Sequence, residues 1–187
     1  MKRVILFTVL ILIVLFSPKF SFSQEGDLSP SISPSPTPTP KPVDYQLPYP
    51  GLLPDSPLYF LKIGRDRIID FLISDPLKQA EFDLLQADKR LNAGISLFDK
   101  GKADLAEVTI SKGENYFEKA IQNIETAKKQ GQDTSSFLEK ISRSSKKHQE
   151  VLKSLEKTAP QNIRAGINSL LKRSQDLEKK VINLREK

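Results

Sequence analysis

The sequence is poor in the residues on which most redox and metal centres depend. Its 187 residues include no cysteine, no tryptophan and a single histidine. The absence of cysteine excludes disulfide bonds, thiolate zinc sites, iron–sulfur clusters and cysteine nucleophiles. One histidine leaves a single imidazole base and excludes histidine-rich metal sites. These absences predict a protein without a metal or another cofactor.

Proline is scarce in most of the chain and concentrated in one segment. Ten of the 13 prolines lie between Pro30 and Pro57, and only Pro76 and Pro160 follow. Because proline breaks helix interiors, this segment cannot be helical, whereas the rest of the chain can. We expect residues 24–52 to form a disordered spacer that favours polyproline II. The alternatives are a proline-rich docking ligand and an O-glycosylated stalk.

The first 23 residues have the pattern of a targeting segment. Lys2 and Arg3 precede an apolar run from Val4 to Phe16, and small residues follow it. The pattern predicts a secretory signal peptide over residues 1–23, cleaved before Gln24. The alternative is an uncleaved anchor, although a membrane span needs about 20 apolar residues. We therefore expect an extracytoplasmic protein, either secreted or on the cell surface, and the lack of cysteine favours a bacterial envelope.

Beyond residue 52, apolar residues recur at steps of three and four, which predicts helices and no strands. We expect an all-α fold in which about five helices form long antiparallel hairpins and pack as a bundle. Residues 53–130 are expected to form one helical domain, and residues 131–187 a basic C-terminal hairpin or coiled coil. The predicted helices cover about 57–73, 76–100, 103–129 and 134–157, and a fifth follows Thr158.

Local signals mark the ends of these helices. Ser56-Pro57 and Asp75-Pro76 each place a capping side chain before a proline of the first turn. Thr158 and Gln161 have the spacing of a capping box. Gly101 is expected to end the second helix and to close a tight hairpin with the third.

Small residues occupy every second seam position on the second and third helices. Two facing columns of small side chains allow helices to approach at the short end of the usual range of about 8–10 Å. The sequence therefore predicts a closely packed hairpin. The columns are Ala80, Ala87 and Gly94 on the second helix and Ala106, Gly113, Ala120 and Ala127 on the third.

The first helix is more apolar than a surface helix requires. Ten of the 17 residues over 57–73 are aliphatic or aromatic. A helix that packs one face on a core needs a narrower apolar stripe. We expect this helix either to be covered on two sides or to form an interface.

No arrangement of carboxylates or motifs predicts catalysis. Asp66/Asp70 and Glu114/Glu118 are carboxylate pairs at i,i+4, which we interpret as solvated helix faces and not as acid–base sites. Two Glu-x-x-His motifs, a Gly-x-Ser-x-Gly motif and a phosphate-binding loop are all missing. The sequence therefore predicts a protein that is not an enzyme.

The single histidine lies on the seam of the fourth helix. We expect His148 to be a polar residue of a thin core, paired with Ser145 or with a side chain of the fifth helix, and not a catalytic or ligand-binding group.

Basic charge is concentrated near the C-terminus. Residues 139–187 include 13 basic and 6 acidic residues, whereas the formal net charge of the whole chain is +6. Nucleic acid is not an expected partner, because Phe137 is the only aromatic residue of this hairpin and stacking platforms are missing. An envelope polyanion, such as anionic lipid or wall polymer, is the alternative to a lysine-rich soluble surface. The candidate contacts are Lys146, Lys147, Lys172, Arg173, Lys179 and Lys180.

Several of these features occur together in one known pattern. The stretch LPDSPLYFLK over 53–62, followed by Asp75-Pro76, Gly101-Lys102 and Tyr116, resembles a bacterial extracytoplasmic family, the domain of unknown function 5667, over about residues 53–130. The family pattern has an aromatic residue or Thr-Phe before the Asp-Pro, where this chain has Leu-Ile-Ser. The resemblance implies an all-helical exported domain and no activity. Further matching positions are Lys78, Ala80, Ala87, Arg90, Leu91 and Ala106.

Together these observations predict a non-enzymatic helical interaction or structural module at the bacterial cell envelope. Its expected partner is an unidentified envelope protein or a second copy of the chain. Contact with a membrane is expected only if the N-terminal segment stays attached. Binding of an envelope polyanion through the C-terminal hairpin is the alternative function.

Overall fold

A computed structural model of the protein describes residues 42–186, all of which belong to one compact unit. The predicted signal peptide or anchor, over residues 1–23, and most of the predicted spacer lie outside the described residues. Residues 42–186 contain no helix that is long and apolar enough to cross a membrane.

The all-α prediction is confirmed. The described residues form five α-helices and no strand, close to the ranges that the apolar spacing predicts. The helices are α1 Tyr59–Leu72, α2 Pro76–Asp99, α3 Ala103–Lys129, α4 Ser135–Thr158 and α5 Gln161–Glu186.

Helices α2 to α5 pack as a bundle around a shared core. Two hairpins, α2–α3 and α4–α5, lie against each other through contacts of α3 with α5 and of α2 with α4. One apolar cluster takes side chains from all four helices, among them Leu84, Phe117, Ile141 and Val181. Residues 53–130, the predicted helical domain, and residues 131–186 of the predicted C-terminal hairpin therefore contribute to one core.

The predicted close approach of α2 and α3 is confirmed at two glycines. A Cβ atom added to Gly94 would overlap the side chain of Ile110, and one added to Gly113 would lie 3.2 Å from the carbonyl oxygen of Ala87. Gly101 has a φ of 73° in the turn between the helices, a conformation that favours glycine. The small residues therefore bring the two backbones together as the seam predicts.

The predicted helix starts are correct at one position and wrong at two. Asp75 caps α2 by accepting a hydrogen bond from the backbone N–H of Lys78 at 2.8 Å. In contrast, α1 begins at Tyr59, so Pro57 lies in the preceding turn. Thr158 ends α4 and donates its hydroxyl back to the carbonyl oxygen of Ser154, so it forms no capping box for α5.

The end of the predicted spacer, residues 42–52, is packed against the bundle. The backbone N–H of Val43 donates to Glu150 of α4 at 2.6 Å, and Asn92 of α2 donates to the carbonyl oxygen of Pro48 at 2.9 Å. Leu47 contacts the core between these two anchors. These contacts shorten the predicted disordered segment at its C-terminal end.

Candidate interaction surface

Helix α1 presents its apolar side to solvent. Phe71 is 87% exposed and Phe60 is 64% exposed, and both lie on one side of the helix together with Gly64 and Ile68. Spacings of four, four and three residues place these positions in one stripe. Leu61 and Leu72 border the stripe and are also exposed. The sequence left open whether α1 is covered on two sides or forms an interface, and within residues 42–186 nothing covers this side.

The opposite side of α1 makes polar contacts with the segment that precedes it and with α2. The Nζ atom of Lys62 donates to the carbonyl oxygens of Pro50 and Leu52, at 2.6 and 3.2 Å. Near the end of the helix, Asp70 accepts a hydrogen bond from Gln79 of α2. The helix is therefore turned opposite to the usual surface helix, which buries its apolar side.

The exposed apolar stripe has a basic border. On one side, Lys62, Arg65 and Lys89 line a cleft of 350 Å³ that contains no carboxylate and includes the exposed side chain of Tyr49. On the other side, a cleft of 370 Å³ is lined by four cations and two carboxylates. Its charged lining residues are Arg67, Arg90, Lys112, Lys119, Asp66 and Asp70.

A second polar feature lies inside the bundle, around the only histidine. His148 of α4 is fully buried. Its Nδ1 atom lies 2.8 Å from Glu114 of α3, and its Nε2 atom lies 3.1 Å from Asp88 of α2. The predicted partners, Ser145 or a side chain of α5, are wrong, and the Ser145 hydroxyl has no hydrogen-bond partner.

Both ring nitrogens of His148 face carboxylate oxygens, which accept hydrogen bonds when ionised. A neutral imidazole has one N–H and would leave one of these contacts unbonded, so the geometry favours the doubly protonated ring. Burial by itself lowers the pKa of His148, but the charge of Glu114 and the hydrogen bonds with Asp88 and Glu114 outweigh it and raise the pKa to about 9. The ring is thus a cation at neutral pH.

Asp88 joins this ion cluster to the N-terminal segment. Besides His148, it accepts hydrogen bonds from the hydroxyls of Ser144 and Tyr45, each at 2.6 Å. Burial and the charge of Asp88 raise the pKa of Tyr45, which therefore remains a hydrogen-bond donor at neutral pH. Three helices and the segment 42–52 meet at this cluster.

The ion cluster has the features of a structural element. It is closed to solvent, and no group of histidine and carboxylate side chains in the described residues is arranged to hold a metal ion. Glu114, which we predicted to lie on a solvated face with Glu118, is buried, and so is Asp66. The missed signal is positional: Asp88 and Glu114 each follow a small seam residue, Ala87 and Gly113, along the α2–α3 contact.

The six basic candidates of the C-terminal hairpin are largely paired with carboxylates. Arg173 and Lys180 both contact Glu118 of α3, each at 2.9 Å. These pairs lower the pKa of Glu118, chiefly through the hydrogen bond from Lys180. Lys147 pairs with Glu150 and Lys179 with Asp176 on their own helices, whereas Lys146 and Lys172 have no ion-pair partner in residues 42–186.

Two separate parts of the sequence pattern meet in the structure. Asp55, from the stretch before α1, accepts hydrogen bonds from Lys102 at 2.8 Å and from Lys100 at 3.4 Å, beside the turn at Gly101. The hydrogen bond from Lys102 is the main cause that lowers the pKa of Asp55. This pairing ties the start of the helical region to the α2–α3 turn, which supports a structural role for the pattern.

Comparison with known proteins places the chain in a family. The family model described as a domain of unknown function (DUF5667) matches residues 51–162. The match therefore extends through α4 and into the start of α5, beyond the residues 53–130 that carry the resemblance in the sequence. No curated protein and no solved structure shows a significant match. Because the family model matches more than half of the 187 residues, the chain belongs to the DUF5667 family.

Proposed function

We propose that this protein is a non-enzymatic helical interaction module of the bacterial cell envelope, and that the outward side of α1 is its docking surface. The observation that supports the proposal is the inverted orientation of α1. Its large apolar side chains face solvent, whereas its Lys62 and Asp70 side chains bond to the preceding segment and to α2. Contiguous exposed apolar surface of this kind marks sites of protein or membrane interaction.

The folded core of the bundle does not depend on this surface. Helices α2 to α5 bury their own apolar seams, so the core does not require α1 to be folded over it. The exposed side chains of α1 therefore add little to folding stability. They can be retained for binding, because burying one large apolar side chain on a partner is worth about 1.5–3 kcal/mol.

The proposal predicts that stability and association respond differently to changes on α1. The free energy of unfolding of the double variant Phe60→Ser/Phe71→Ser should lie within about 0.5 kcal/mol of that of the natural chain, because both side chains are exposed. Its association with the envelope fraction of cells that make the full chain should fall at least about tenfold. Urea unfolding and cell fractionation measure the two quantities.

A matched control is available on the bundle. Val108 of α3 and Ile182 of α5 are also exposed apolar residues, and Val108→Ser/Ile182→Ser should leave both quantities unchanged. Equal envelope association of the two double variants would overturn the proposal, as would a large loss of stability confined to the α1 variant.

A further inference from the structure

Resting on this proposed function, we infer that the occupant of the α1 surface is an anionic lipid surface. The apolar stripe would enter the boundary between headgroups and acyl chains, and the arginines at its border would contact lipid phosphates. Amphipathic helices that lie in the membrane plane combine these two features. The partner is thus identified by the residue types of the stripe and by the charge of its border.

The charge distribution on α1 is one-sided. Its exposed charged residues, one on each side of the stripe, are Arg65, which forms an ion pair with Asp66 at 2.7 Å, and Arg67, which has no ion-pair partner in residues 42–186. Its two carboxylates, Asp66 and Asp70, lie on the side that faces the bundle, where Asp66 is buried. An approaching surface therefore meets cations around an apolar centre, which matches the negative potential of anionic lipid.

The apolar surface continues beyond the helix with residues suited to a membrane interface. Tyr49 is 81% exposed, and it lines the same basic cleft as Leu52 and Leu61. Tyrosine is enriched where an apolar ring and a polar hydroxyl meet the boundary between lipid and water. Tyr49 and Leu52 therefore extend the surface along the side where the cleft contains no carboxylate.

A second copy of the chain fits this surface less well. In a symmetric dimer the same surface meets itself, so both copies would bring their arginines to one interface. Asp66 pairs with Arg65 within its own chain, and no exposed carboxylate of α1 is available to the arginines of a second copy. Like charges opposed in this way weaken association, whereas an anionic lipid surface removes the conflict.

Single tryptophans provide a direct test, because the natural chain has none. The probes are Phe71→Trp on the stripe and Val108→Trp on the bundle, in the chain that begins at Gln24 and contains every described residue. Each is mixed with vesicles of phosphatidylcholine alone or of equal parts phosphatidylcholine and phosphatidylglycerol. We expect a blue shift of the emission for Phe71→Trp with the anionic vesicles, which weakens with salt, and no shift for Val108→Trp.

Charge variants distinguish the α1 border from the C-terminal hairpin. Arg65→Gln/Arg67→Gln should lower affinity for the anionic vesicles, by roughly fivefold for Arg67 and by less for Arg65, because Arg65 already forms an ion pair with Asp66. If the double variant does not fold, Arg67→Gln alone serves, because the Arg67 side chain makes no hydrogen bond in the described residues. The matched control, Lys146→Gln/Lys172→Gln, removes two cations that lack ion-pair partners and should have little effect.

Three results would overturn the inference. The first is binding that depends on Lys146 and Lys172 and not on the arginines, which would identify the basic hairpin as the lipid-binding surface. The second is the absence of vesicle binding together with dimers, seen by sedimentation, that Phe71→Ser abolishes. In that case the α1 surface binds a second copy and the proposed function stands. The third is the absence of binding to vesicles, to a second copy and to the envelope fraction, and this result alone would also remove the proposed function.

Discussion

Replacing His148 with alanine should lower the free energy of unfolding by about 3–5 kcal/mol. The variant leaves Asp88 and Glu114 buried without the cation that compensates them, and one oxygen of Glu114 already lacks a hydrogen-bond partner. Urea denaturation followed by circular dichroism measures the change. The variant Arg143→Ala removes a surface ion pair with Glu139 on the same helix and should cost less than about 1 kcal/mol. Similar losses for the two variants would contradict an ionic role for His148.

The same substitution should remove a pH dependence of stability. The pKa of His148 is raised from 6.5 to about 9 in the folded protein. A group with a raised folded pKa contributes stability that is fully present below its unfolded pKa and is lost as the pH rises through the folded value. The natural chain should therefore lose stability between pH 6.5 and about 9, whereas His148→Ala should not. Parallel pH profiles over this range would show that the ring is neutral.

After His148, substitutions at the contact between α2 and α3 should cause the largest loss of folding stability. Gly94→Ala should cost about 1–3 kcal/mol, because the added Cβ overlaps the Cγ1 atom of Ile110 and lies 3.4 Å from the carbonyl oxygen of Ala106. Ile110 is fully buried and has little room to move. This loss outweighs the gain of about 1 kcal/mol that alanine brings over glycine inside a helix. Thermal or urea unfolding measures the difference.

Gly64 of α1 is the matched control for this steric effect. It is also inside a helix, but no atom lies within 4 Å of an added Cβ. Gly64→Ala should therefore leave stability unchanged or raise it by up to about 1 kcal/mol. If both alanine variants change stability in the same direction, then the close packing at Gly94 does not limit the hairpin.

The sequence predicts the bundle well because the heptad seams repeat over long stretches. On α4 and α5, seam positions such as Ile141, Leu152 and Ile167 are buried as the spacing requires. Seams specify which side of each helix is buried, and the short turn at Gly101 specifies an antiparallel neighbour. Where the signal was a short local motif, as at Thr158 and Gln161, the prediction was wrong because α4 continues through the expected cap.

The orientation of α1 could not be predicted from its periodicity. Spacing shows that Phe60, Ile68 and Phe71 share one side, but it gives no sign that this side faces away from the core. That outcome depends on polar contacts with neighbouring elements, such as that of Asp70 with Gln79 of α2. The charge partners of His148 could not be predicted either. The seam predicts that His148 is buried, but it does not identify Asp88 and Glu114, which lie on other helices.

The packing of residues 42–52 against the bundle has a signal in the sequence, although the composition of the segment does not show it. Proline content predicts disorder, yet Val43, Tyr45, Leu47 and Tyr49 alternate along the segment. The alternation places Tyr45 and Leu47 on the side that faces the bundle, where Tyr45 donates a hydrogen bond to Asp88 and Leu47 contacts the apolar core. A count of residue types averages over such spacing, so the boundary of the folded unit was placed too late in the chain.

Site-specific photo-cross-linking in living cells is the most direct test of the central claim that α1 is the docking surface. A photoreactive phenylalanine analogue is placed at position 71 in one variant of the full chain and at position 108 in the other. Both positions are exposed in the free protein, but only position 71 belongs to the α1 surface. A difference in cross-linking therefore reports which surface is in contact with a partner. If α1 is the docking surface, position 71 should form cross-links to an envelope component and position 108 should form none. Equal cross-linking from both positions, or cross-links from position 108 alone, would contradict it.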